Sequence, residues 1–203
     1  MIEFIEVKAS PLSLAQRKLI YGVGINDADY MTEIKINGSR ISCPYYKRWQ
    51  GMLERCYSAR FYKRNISYVG CSVTNDWLTF SNFKAWMETQ DWKGLELDKD
   101  VRHQGNKVYS PDTCQFITKE VNTLLNDQKS KRGDYHQGVT FIKRTGKYKA
   151  TISAYGKRIH LGYYNTNDDA FNAYKIQKYK HIASVAIRQN DTLRRELLRY
   201  KIN

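Results

Sequence analysis

The chain has 203 residues, of which 41% are hydrophobic and 13% aromatic. That is enough apolar side chain for a packed core, which excludes a disordered chain. The formal net charge of +14 makes polyanions, nucleic acid first and an anionic membrane surface second, the expected partners. The excess is uneven: residues 129–203 hold 17 Lys+Arg against 5 Asp+Glu, whereas residues 1–128 hold 17 against 15.

Residues 1–40 read as an entry segment. MIEFIEVKAS is no secretory signal, because acidic residues interrupt it and no apolar core follows a basic start. LIYGVGINDADY starts like a strand and ends in turn residues, and the Asn37-Gly38 pair in KINGSR signals a hairpin. In PYYKRWQGMLERCY, residues 44–57, Tyr45, Trp49, Met52, Leu53 and Cys56 form one apolar helix face. Pro44 suits the first turn. Lys47, Arg48 and Arg55 fall off that face, either solvated or against phosphates. YVGCSVTNDW, residues 68–77, reads as a strand, a turn and a helix start, with Thr74, Asn75 and Asp76 as candidate caps. A helix over 77–89 follows, with Trp77, Phe80, Phe83 and Trp86 as a core stripe.

LDKDVRHQGNKVYSPDTC, residues 97–114, concentrates the polar chemistry and is taken up below. Residues 118–128 predict a short helix carrying Val121, Leu124 and Leu125. KSKRGD, residues 129–134, is polar and basic and opens a linker at 129–136. Beyond it the pattern changes to alternation. GVTFI, KYKATISA and RIHLGYY are three antiparallel strands joined by Gly-containing turns. Residues 165–187 predict a long helix capped by Asn167, with Asp168 and Asp169 in its first turn. A last helix occupies roughly 191–200. Alternation puts Ala150, Ile152 and Leu161 against the helix. It leaves Lys147 or Lys149, Thr151, Ser153, Arg158 and His160 on an open face able to enter a major groove.

The stretch QGVTFIKRTGKYKATISAYGKRIHLGYYNTNDDAFNAYK resembles the AP2 (ERF-type) DNA-binding domain, over roughly residues 137–186. The resemblance implies that the sheet reads the major groove of double-stranded DNA. Carried over by position, its contacts are Gln137, Thr140, Tyr148, Thr151, Ser153, Arg158 and His160, with Lys143, Arg144 and Lys147 near phosphates. Plant members of the family often have Arg and Trp at several of these places, so the base sequence they read does not transfer.

Residues 97–114 in turn resemble the hairpin of HNH nucleases, in which a carboxylate or His holds one divalent metal and a His activates water. LDKD stands where the family has its Asp-His segment, GNK at 105–107 matches the turn, and YSPDTCQFI at 109–117 matches the helix-opening segment. PYYKRWQGMLERCY, YVGC and the Trp-Phe-Phe-Trp stripe look like the phage-type proteins that pair this unit with an AP2-like domain. The resemblance implies Asp98 and Asp100 as ligands of Mg or Mn, and Asp98, Lys99 and His103 as catalytic residues. The departures are Lys99 at the general-base His, and Ser110 and Thr113 near the family's Asn positions. Lysine is a base only when its pKa is strongly lowered, whereas carboxylates on either side stabilise the ammonium. Such an ammonium also neutralises Asp98 and Asp100 without a metal, in which case no cofactor is needed.

The expected fold class is α+β. An N-terminal segment (1–40) precedes an HNH-like, ββα-type domain (41–128). A linker (129–136) leads to an AP2-like three-stranded antiparallel sheet packed on one helix (137–189), and a C-terminal helix (190–203) ends the chain. The expected function is DNA binding by a basic, phage-borne HNH homing-type endonuclease, a hydrolase working in the host-cell cytoplasm. The alternative is a catalytically inactive HNH-derived DNA-binding protein: a repressor, a decoy or an inhibitor that contacts a host protein. A weaker third reading is a binder of acidic proteins. No apolar run approaches a membrane span. Cys43, Cys56, Cys71 and Cys114 lack the paired spacing of zinc sites and read as buried free thiols, with a four-cysteine zinc site as the alternative.

Overall fold

The Asn37-Gly38 pair does what such pairs do in two-residue hairpins. Both residues are left-handed, at φ 50° and 78°, as a type I′ turn requires. They join β1 (Glu33–Ile36) to β2 (Ser39–Ser42) in antiparallel register. The structure, a computed structural model, describes residues 3–126 and 134–202. It is a mixed α+β fold and divides after Thr118 into two compact units. Among the described residues no helix is long and apolar enough to cross a membrane.

In the first unit a short helix, α1 (Pro11–Ala15), is capped by Ser10, whose hydroxyl accepts from Ser13 N at 3.1 Å. The strand expected at LIYG is only an isolated bridge between Ile20 and Gly24. Helix α2 (Pro44–Tyr57) follows the predicted pattern and buries Trp49, Met52, Leu53 and Cys56. A one-turn helix, α3 (Ala59–Tyr62), follows it. The aromatic stripe, expected on one helix, is divided. A 3₁₀ turn (Asn75–Leu78) carries Trp77, and α4 (Phe80–Glu88) starts only after an extended Thr79. Ile25 causes the break: its N–H donates to Leu78 O at 2.8 Å and its carbonyl accepts from Phe80 N at 3.0 Å. A backbone held from outside on both sides of Thr79 cannot continue as helix through it. The stripe still packs, with the Trp77 ring 5.1 Å from Phe83 and 4.5 Å from Trp86.

Among the described residues the 97–114 stretch does not make the two-stranded hairpin and following helix of the expected ββα unit: the strands on either side of the Gly-Asn-Lys turn pair with other strands, and residues 115–117, expected to open a helix, are strand. β3 (Ser72–Val73) runs parallel to β5 (Val108–Tyr109), and β4 (Glu96–Asp98) runs antiparallel to β6 (Gln115–Ile117). Tyr109, Leu97 and Cys114 thereby join the α2–α4 core.

The second unit begins with α5 (Lys119–Leu125). The expected organisation placed this helix in the first domain, but its contacts are with the later helices. Lys178 donates to Leu124 O, Tyr200 donates to Leu125 O at 3.0 Å, and Glu120 pairs with Arg188 at 2.7 Å. The expected linker falls largely on residues 127–133, outside the described residues. β7 (Val139–Ile142), β8 (Lys147–Ala154) and β9 (Lys157–Tyr164) form one antiparallel sheet in that order. Helix α6 (Asn167–Ala186) packs on it through Ala170, Phe171 and Tyr174, against Val139, Ala150, Ile152 and Ala154. Its cap is Thr166 rather than Asn167. The threonine hydroxyl accepts from Asp169 N at 3.1 Å and donates to the Asp169 carboxylate at 2.7 Å. Helix α7 (Asp191–Arg199) folds back on α6, burying Leu193 and Leu197.

Candidate functional site

The open face of the sheet follows from strand register. Thr140, Lys149 and Tyr163 form one row across all three strands; Thr151 pairs with His160, and Ser153 with Arg158. Between residues 135 and 164 there are six Lys or Arg and no Asp or Glu. Thr140, Lys143, Arg144, Lys147, Ser153, Arg158 and His160 are exposed, and Lys149 is half-buried. Thr151 belongs to the same face but is buried, and its hydroxyl accepts from Arg158 at 3.4 Å. Gln137 precedes the sheet and donates its side-chain amide to Asn126 O at 3.4 Å.

Tyr148 is different. It pairs with Phe141 and Tyr164 and packs on the helix side with Ala150 and Ile152. Its ring lies 5.0 Å from Phe141 and 6.0 Å from Tyr135. The two-residue period of β8 therefore takes it off the open face, against its place among the contacts carried over from the family.

One arginine of the last helix is accounted for by packing. Arg194 donates to Ala186 O, Ile187 O and Gln189 O at 3.2–3.4 Å and pairs with Asp191 at 3.0 Å. It satisfies the carbonyls that end α6, as a basic residue near a helix C-terminus can.

A groove of about 1050 Å³ opens beside β8, between α5 and the β8–β9 turn. Ser153, Arg158, Lys178 and His181 are among the residues that line it. His181 is buried, and its Nδ1 has no partner among the described residues. Burial, reinforced by Lys178, holds its imidazole below the ordinary histidine value.

The segment at 97–114 is built around Lys99. This residue is 5% exposed. Its ammonium lies 2.7 Å from Asp100 Oδ2, 2.6 Å from Asn106 O and 5.8 Å from the centre of the Tyr109 ring. Asp98 accepts from the N–H groups of Asp100 and Val101 at 2.8 and 2.7 Å. Burial nevertheless raises its carboxyl above the ordinary value, against those two bonds. Asn106 ties the segment together: its amide donates to Lys99 O and Val108 O at 2.9 and 2.6 Å, and its Oδ1 accepts from Val108 N. Ser110 and Thr113 lock onto each other, with their hydroxyls 2.9 Å apart. His103 is exposed in the loop, and its carbonyl accepts from Asn106 N at 2.9 Å.

This donor set fits a monovalent ammonium better than a divalent cation. Asp100 already meets a cation, Asp98 already accepts two N–H bonds, and a dication beside a buried ammonium is repelled. Among the described residues no group of three or more His, Cys, Asp or Glu is placed to hold a metal. All four cysteines are free and buried. Burial pushes the Cys56 and Cys114 thiols up to about 12. A protonated thiol is a poor nucleophile at neutral pH. Comparison with known proteins adds no assignment. The chain matches no family model, no curated protein and no solved structure.

The sequence pattern led to the 97–114 segment and to most of the open face. It missed Tyr163, Asn106 as the tie of that segment, and His181. Asn106 was present in the Gly-Asn-Lys turn as a family match, without a structural role. Tyr163 had a signal in the adjacent Gly162, whose φ of 133° marks an irregularity in β9.

Proposed function

We propose that the protein binds double-stranded DNA through the open face of its C-terminal sheet, and that the 97–114 segment, which resembles a nuclease site in sequence, does not cut. The observation carrying the first part is the basic face free of acidic residues across residues 135–164. A twisted antiparallel sheet fits the width of a major groove. Lys143, Arg144 and Lys147 at the β7–β8 turn attract phosphates, while Thr140, Ser153, Arg158 and His160 reach base edges. A three-stranded sheet backed by one helix is the arrangement that the AP2 resemblance implies. The second part rests on Lys99, which holds the place and the charge of a cation. The protein then acts by occupying DNA, as a repressor or decoy does, in the cytoplasm of a phage-infected cell.

Two assays on the purified full chain test this. Gel-shift titration of a duplex at increasing salt is expected to show a steep loss of affinity. Plasmid incubation with Mg²⁺ or Mn²⁺ is expected to leave the DNA intact. Absence of duplex binding at moderate salt defeats the binding assignment. Metal-dependent nicking that disappears in Asp98→Ala replaces the non-cutting reading with the endonuclease one.

A further inference from the structure

Strand β9 is not a regular partner of β8. Ala150 pairs with Gly162 but Thr151 pairs with His160, so Leu161 is an extra residue. Such a bulge reverses the alternation of the strand beyond it. Were β9 regular, Gly162 and Tyr164 would stand beside Arg158 and His160 on the open face, and Tyr163 would point into the core. With the bulge, Tyr164 turns inward, packs on the helix side and donates its hydroxyl to Leu161 O at 2.9 Å. Gly162 accommodates the irregularity: a Cβ there would stand 3.1 Å from the Tyr164 hydroxyl oxygen.

The consequence is that Tyr163 joins the open face. It ends the row Thr140–Lys149–Tyr163 and is 55% exposed. Its ring lies 4.8 Å from His160, tilted by 60°. In a regular strand residues 160 and 163 would be on opposite faces. The bulge thus sets an aromatic pair among lysines and arginines. Those of the cations that meet phosphates attract any backbone, and a phosphate contact carries no base information. A ring edge beside a thymine methyl, and a hydroxyl that donates or accepts at a base edge, do carry it.

We infer that Tyr163, held against His160 by the Leu161 bulge, is a base-reading, specificity-determining residue. This rests on the DNA-binding reading above. The test selects preferred sites from a random duplex pool with the full chain. Wild type, Tyr163→Ala and His160→Ala are then compared on the selected duplex and on an unrelated one, with a thermal melt of each variant to confirm folding. Wild type is expected to enrich a motif. Tyr163→Ala is expected to lose preference at one or two adjacent positions and to bind the selected duplex about tenfold more weakly, with little change on the unrelated duplex. His160→Ala is expected to affect the same positions. The inference is overturned if Tyr163→Ala weakens both duplexes equally, which marks a phosphate contact, or weakens neither. It is also overturned if wild type binds duplexes but enriches no motif. If wild type binds no duplex, the DNA-binding reading falls and takes this inference with it.

Discussion

Burying an ammonium requires a charge partner and hydrogen-bond acceptors on the spot, and Lys99 has both in Asp100 and the Asn106 carbonyl. Lys99→Met keeps much of the stem volume and removes the charge. Asp100 is half-exposed and can turn to water, so the expected loss is that of a carbonyl left without its donor, about 1–3 kcal/mol, read as a lower urea midpoint. If the ammonium is the cation of the 97–114 segment, EDTA leaves the wild-type melting temperature unchanged. A midpoint that drops with EDTA and returns with Mg²⁺ contradicts that role. His181 titrates at the same scale. Its value is lowered by burial, then by Lys178 and Arg188, with Glu120 opposing. As pH falls through the ordinary histidine value of about 6.5, the unfolded chain takes up a proton that the folded chain refuses. Stability is therefore full above that value and declines below it. Urea midpoints between pH 8 and 5 should show this slope in wild type and a weaker one in His181→Gln. Equal slopes would remove His181 as the cause.

Elements were legible where their determinants are local. The apolar spacing of Trp49, Met52, Leu53 and Cys56 specifies α2, and Asn37-Gly38 specifies its hairpin. They were not legible where a distant residue decides. Ile25 reaches across to stop the helix at Thr79, and nothing near Trp77 announces it. The open face divides in the same way. Alternation in β8 separates Lys149, Thr151 and Ser153 from Tyr148, a separation that family analogy blurred. The Leu161 bulge, by contrast, depends on pairing with a second strand. Gly138 shows how tightly the sheet and helix are joined. It sits at φ 78°, where an added Cβ would stand 2.1 Å from the Tyr174 ring and 2.7 Å from Thr151 O. Gly138→Ala combines left-handed strain with overpacking and should destabilise the protein by about 2–5 kcal/mol. An unchanged melting temperature would mean that β7 does not start against α6 as described.

At the scale of the whole molecule, the charge is unevenly divided. Residues 1–128 are close to balanced, and the excess lies beyond them. A nearly neutral first unit with a self-neutralised 97–114 segment adds little to long-range attraction for DNA, so salt dependence should belong to the sheet. Each phosphate neutralised contributes a slope of about −0.9 to the dependence of log affinity on log salt. If Lys143, Arg144 and Lys147 each meet a phosphate, replacing all three with Ala in the full chain should flatten that slope by about 2–3. These residues are exposed, so the melting temperature should hold. Replacing Arg60, Lys63 and Arg64, which follow α2 in the first unit, should leave the slope nearly as it was. The opposite pattern, a flat response to the sheet variant and a strong one to the first-unit variant, would move the DNA-binding surface from the β7–β8 turn to the first unit. The bound DNA would then lie against the 97–114 segment, and Lys99 would act as a contact rather than as an internal counter-charge.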